Sequence, residues 1–114
     1  MNDVRLVFCT FPSVDVARQI GTALVEKQLA ACVNLIPGVE SIYRWQGELE
    51  DTIETLAIFK TSAGAFPQFE RALAELHPFE VPEIVAIEPS AVAETYAAWV
   101  LAEVRGSQHS LPGV

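Results

Sequence analysis

A chain of 114 residues with 51% apolar content is long enough for one hydrophobic core and too apolar for a disordered segment. Seven basic against fifteen acidic residues, a net charge of -8, exclude a phosphate-neutralising nucleic-acid surface. No apolar run reaches the roughly 20 residues that cross a bilayer, and the first residues carry neither a basic region nor a signal-like core, so the expected address is cytoplasmic, with no membrane partner.

Val4 to Phe11 reads as a mostly buried strand closed by Pro12-Ser13. Ser13 is placed to cap a helix running to about Gln28, whose apolar face is Val16, Ile20, Ala23 and Leu24, with Ala17 and Gly21 beside them for close packing on a sheet. Ala31 to Trp45 is β-rich, with a bulge or bend expected at Pro37-Gly38. Gln46-Gly47 turns the chain into a partner strand from Glu48 to Thr61. The next helix carries Phe66, Phe69, Leu73 and Leu76, then Ile84 to Ile87 gives a short strand. Pro89-Ser90 is expected to open a last helix to about Val104, with Tyr96, Trp99 and Val100 as its packing face. The expected organisation is one domain over residues 1–105 and a flexible tail over 106–114, in which His109 is an exposed loop residue.

This order, β-α-β-β-α-β with an added helix, predicts an α+β, ferredoxin-like split βαβ fold. Right-handed crossovers place the first and third strands centrally and both main helices on one face, leaving the other face to be covered by the last helix or by another subunit. A strand from Ala31 to Trp45 would extend about 50 Å at roughly 3.3 Å per residue, far beyond a typical strand. The long central hairpin therefore overhangs its own core, and it carries Ile42, Tyr43, Trp45 and Leu49 with it. Such side chains are costly to leave in water, which predicts pairing with neighbouring subunits.

The run Leu76-His77-Pro78-Phe79-Glu80-Val81-Pro82-Glu83 braces an imidazole and two carboxylates between prolines. It suits a cation or small-ligand site, or a rigid connection in which His77 only closes the preceding helix. The spacing of His77, Glu80 and Glu83 is not a zinc signature. Cys32 reads as core, or as a thiolate that with His77 would favour copper or zinc. The topology sends these two residues to opposite ends of the sheet, so a shared site requires an intersubunit cleft. Cys9 reads as a small buried hydrophobe, and two cysteines so far apart make neither a disulfide scaffold nor a zinc knuckle. Lys60 ends the third strand, either facing a carboxylate or reaching solvent. Tyr43 and Trp45 read first as interface anchors, with a substrate box as the alternative. Glu48, Glu50, Asp51 and Glu54 form a solvated acidic face or a weak hard-cation surface. No serine stands in a nucleophile elbow and no glycine loop for phosphate is present, so no enzyme is expected.

Four blocks in this order resemble the CutA-type divalent-cation tolerance family: Ala30-Ala31-Cys32-Val33-Asn34, Pro37-Gly38-Val39-Glu40-Ser41-Ile42-Tyr43-Arg44-Trp45-Gln46-Gly47-Glu48, Phe59-Lys60-Thr61 and His77-Pro78-Phe79-Glu80-Val81-Pro82-Glu83-Ile84. The resemblance spans about residues 4 to 101. It implies a tight homotrimer joined by its long hairpins, cytoplasmic, non-enzymatic, and linked to tolerance and binding of divalent cations, copper (Cu2+) above all. By position it implies Cys32, His77 and Glu80 as the metal residues, and Lys60, Tyr43 and Trp45 as residues lining or bordering an intersubunit ligand cleft. A trimeric small-molecule sensor using that cleft for an organic anion or nucleotide, with Lys60 as charge partner, is the alternative; no organic cofactor is expected. Phe79 stands where the family commonly has tyrosine, and 88–93 lacks the glycine common before the last helix.

Overall fold

In a computed structural model, residues 3–105 are described; the expected tail 106–114 and His109 lie outside them. The chain forms β1 (Val4–Phe11), α1 (Val14–Glu26), β2 (Cys32–Trp45), β3 (Glu48–Ser62), α2 (Phe66–Leu76), β4 (Val85–Ile87) and α3 (Glu94–Glu103). The four strands make one antiparallel sheet in the order β2-β3-β1-β4, with β1 and β3 central as right-handed crossovers require. This is the ferredoxin-like arrangement with an additional C-terminal helix.

Strand alternation divides the sheet into two faces. Val7, Cys9, Phe11, Ala57 and Phe59 point to the helices and join Ala17, Ile20, Leu24, Phe69 and Leu73 in the main core. Ser13 Oγ accepts the Val16 N–H at 3.2 Å and starts α1. Gly21 lets that helix lie against β2, since a Cβ there would stand 3.1 Å from Val33 Cγ1. Leu6 and Phe8 of β1 and Leu56 and Ile58 of β3, with Phe8 paired to Ile58, occupy the opposite face and are only half-buried.

That second face is covered at one end only. Val100 of α3 and Val104 at its C-cap pack with Val4, Ala31 and Ala65, helped by Val92, Ala97 and Leu101. The helix begins at Glu94 rather than after Pro89-Ser90. Val92, docked in this small cluster, sits in a non-helical run, and Ala93 at ψ 134 offers no side-chain cap. The expected packing face is also corrected. Tyr96 and Trp99 are 39% and 44% exposed, because the stripe that faces inward is Ala97-Val100-Leu101-Val104 at spacings of three, one and three.

β3 pairs with β1 only from Thr55 to Ser62, so Glu48 to Glu54 is held by β2 alone. The hairpin tip therefore stands clear of the core and gives the chain its 53 Å long axis. Ile42, Leu49 and Ile53 are 65%, 70% and 64% exposed on it. The bulge expected at Pro37-Gly38 is present: Ile36 pairs with Leu56 and Val39 with Glu54, so Pro37 and Gly38 on β2 stand against the single residue Thr55 on β3. Gly38, at φ +82, supplies the left-handed conformation this needs.

Candidate functional site

The extra residue in β2 reverses the parity of everything beyond it. Before the bulge, Cys32, Asn34 and Ile36 share the half-covered face with Lys60, Ile58 and Leu56. After it, Ser41, Tyr43 and Trp45 share that face with Thr52, Glu50 and Glu48, in line with Glu54. Between this part of the hairpin and the loop after α2 lies an open groove of about 670 Å³. Its lining includes Tyr43 and Trp45 from β2, Glu54 from β3, and Phe79, Glu80 and Glu83 from the loop.

The loop is set by His77. Pro78 disfavours helical geometry in the residue before it, so His77 is extended (φ -72, ψ 137) and ends α2 while its N–H still donates to Leu73 O at 2.9 Å. Its ring turns onto β1, stacking on Phe11 with centroids 4.7 Å apart and lying 4.8 Å from the Phe79 ring. The Phe79 N–H donates to Nδ1 at 3.1 Å, which leaves the proton on Nε2, and Nε2–H donates to Thr10 O at 2.7 Å. Burial lowers the His77 pKa below its ordinary 6.5, against opposing contributions from the Thr10 hydrogen bond and the Glu54 carboxylate. Both ring nitrogens are thus engaged by backbone, and the imidazole locks the loop onto the sheet. A ligand role for His77 would require the Phe79 N–H to release Nδ1.

Cys32 stands elsewhere. It pairs with Lys60, and Lys60 with Leu6, four residues along β1 from Thr10 and two strands across. The backbone separation is therefore about 13 Å along the strands and about 10 Å across them. Cys32, half-buried, has its Sγ 3.7 Å from the Tyr96 hydroxyl of α3. Partial burial, followed by the contact with Cys32, raises the Tyr96 pKa. Cys32, His77 and Glu80 are not brought together within one chain. No group of three or more His, Cys, Asp or Glu side chains that could hold a metal ion is found among the described residues.

Of the three residues expected at a ligand cleft, Tyr43 and Trp45 line the groove and Lys60 does not. The Lys60 ammonium, on the same sheet face as Cys32, donates to the Asn34 side-chain oxygen rather than facing a carboxylate. Cys9 is fully buried in the main core, where burial and then the Glu83 and Glu54 carboxylates push its thiol up to about 12, so it is neither nucleophile nor ligand at neutral pH. Two participants were not singled out from the sequence. Tyr96 looked like core, and Glu54 looked like one of four solvated acids. Glu54 lies next to the strongly apolar Thr55–Lys60 half of β3, which is the signal that it leaves the solvated tip.

The chain matches the CutA1 divalent ion tolerance protein family over residues 5–103. It is 48% identical over 96 residues to the divalent-cation tolerance protein CutA of Thermus thermophilus, covering 84% of this chain and 93% of that protein. It is 41% identical over 99 residues to protein CutA of Homo sapiens, covering 87% of this chain but only 55% of the human protein. The crystal structure of CutA from Xylella fastidiosa superposes with a TM-score of 0.88 at 39% identity, over 90% of this chain and 99% of that one. The Thermus thermophilus structure gives a TM-score of 0.85 at 46% identity, over 89% and 98% of the two chains. Proteins of this family are non-catalytic. By sequence and fold together, the chain belongs to the CutA1 divalent-cation tolerance family.

Proposed function

We propose that this protein acts in divalent-cation tolerance as a cytoplasmic homotrimer that binds Cu2+ or another divalent cation where its subunits meet. One observation carries the reading: a single chain leaves both the half-covered sheet face and the Ile42-Leu49-Ile53 side of the hairpin open to water. Exposed apolar area of this kind favours association at roughly 25 cal/mol per Å² buried. Assembly also answers the separation within one chain, since Cys32 of one subunit can meet the Glu80 loop of another only across a boundary. Cys32 supplies a soft thiolate and Glu80 a carboxylate. His77 positions the loop, joining the metal only where Nδ1 is released from Phe79.

Titration of Cu2+ into the trimer, its mass confirmed by native mass spectrometry, tests this. Cys32→Ala and Glu80→Gln are each expected to weaken binding by about tenfold with the trimer intact. Unchanged affinity in both variants would remove these residues from the site.

A second reading, a trimeric small-molecule sensor, is favoured by one observation: the groove of about 670 Å³ lined by Tyr43 and Trp45 is of a size that takes small organic ligands.

A further inference from the structure

The groove has a definite chemical character. Among the described residues no lysine or arginine lines it, while three carboxylates (Glu54, Glu80 and Glu83) and the aromatic rings of Tyr43, Trp45 and Phe79 do. Glu80 and Glu83 are exposed and by themselves would be ordinary surface acids. Glu54 is different. It is 7% exposed, it borders the groove, and its side chain makes no hydrogen bond or ion pair among the described residues. Mostly buried, this carboxylate has no counter-charge among the described residues, and the side it keeps open borders the groove. Beside it, the Thr52 hydroxyl opposite groove-lining Ser41 is buried without a hydrogen-bond partner among the described residues.

We propose that this groove binds a small organic cation, an ammonium or guanidinium compound with an apolar body, whose charge is taken by Glu54 and whose body lies against Trp45, Tyr43 and Phe79. This rests on the sensor reading of the groove and replaces the organic anion of that alternative with a cation, because Lys60, the charge partner it named, lies outside the lining. Within one chain Glu54, Glu80 and Glu83 do not gather into a metal-holding group among the described residues, and the metal proposed above draws instead on Cys32 of a neighbouring subunit. An extended cation tolerates that spacing and uses the ring faces, which attract positive charge within about 6 Å of the ring centre.

The test is calorimetric titration of the assembled protein with 1,4-diaminobutane, with neutral 1,4-butanediol and anionic citrate as paired probes. Saturable diamine binding, little butanediol binding and a shift in tryptophan emission are expected. Glu54→Gln should weaken the diamine by about tenfold and Trp45→Leu severalfold, whereas Glu70→Gln, an equal charge change on the exposed side of α2, should leave it unchanged. An equal loss in Glu70→Gln, or none in Glu54→Gln and Trp45→Leu, reduces the effect to attraction by the acidic surface and overturns the proposal. Citrate binding without diamine binding overturns the cation and keeps the sensor reading. Binding of none of the three, as when a neighbouring chain fills the groove, overturns both.

Discussion

His77 shows how one side chain can look like a ligand and serve as a latch. Its two nitrogens bond Thr10 O and the Phe79 N–H, and its ring lies on Phe11, so removal breaks two backbone contacts and opens a cavity at once. His77→Ala is expected to cost roughly 2–4 kcal/mol, read as a shift in urea midpoint. The pH dependence follows from its lowered pKa. Between the folded value and the ordinary 6.5, the unfolded chain binds the proton and the folded chain does not, so stability rises with pH across that window. The contribution is complete above pH 6.5 and is lost as pH falls toward the folded pKa. Urea midpoints measured from pH 8 down to 5 should show this decline in the wild type, and His77→Gln should flatten it. The histidine was legible in the sequence by its proline bracing, but the identity of its partners was not, because Thr10 lies 67 residues away.

At the scale of elements, the bulge at Pro37-Gly38 decides what the hairpin presents. Were the register of Ile36 carried on unbroken, Glu40, Ile42 and Arg44 would share a face with Glu54; with the bulge, Ser41, Tyr43 and Trp45 do. Gly38→Val places a branched side chain at φ +82 and should cost about 1–2 kcal/mol. Deleting Glu40, just beyond the bulge, should do more to the site than to the fold, moving Tyr43 and Trp45 off the groove face and abolishing the diamine-induced change in tryptophan emission, whereas deleting Gly38 removes the bulge and leaves both rings in register. Circular dichroism reports whether the sheet survives. The sequence marks this bulge by composition. Its effect on parity becomes visible only once the partner register on β3 is known, and for that reason Glu54 passed for a surface acid.

For the whole molecule, the open surfaces matter as much as the core. The helix side of the sheet is closed by α1 and α2, whereas α3 covers only the Val4 end of the other side. Ile58 lies midway along the uncovered part, beside Phe8. Ile58→Glu would place a charge where subunits are proposed to meet, and burying it there without a partner is costly. Sedimentation velocity is expected to show the trimer dissociating while the far-ultraviolet circular dichroism of the chain is kept. A trimer that survives this change would move the contact to the hairpin alone.

The split βαβ order, the central strands, the long hairpin and its bulge follow from local chemistry: strand and helix periodicity, proline and glycine positions, and the fixed hand of crossovers. Those signals are carried within a dozen neighbouring residues, so the sequence alone determines them. The inward stripe of α3, the backbone partners of His77, the isolation of Cys32 beside Tyr96 and the burial of Glu54 depend on side chains brought together from distant segments. Only the tertiary structure decides them, because register and packing fix which of a strand's two faces meets which neighbour, and a shift of one residue reverses the answer.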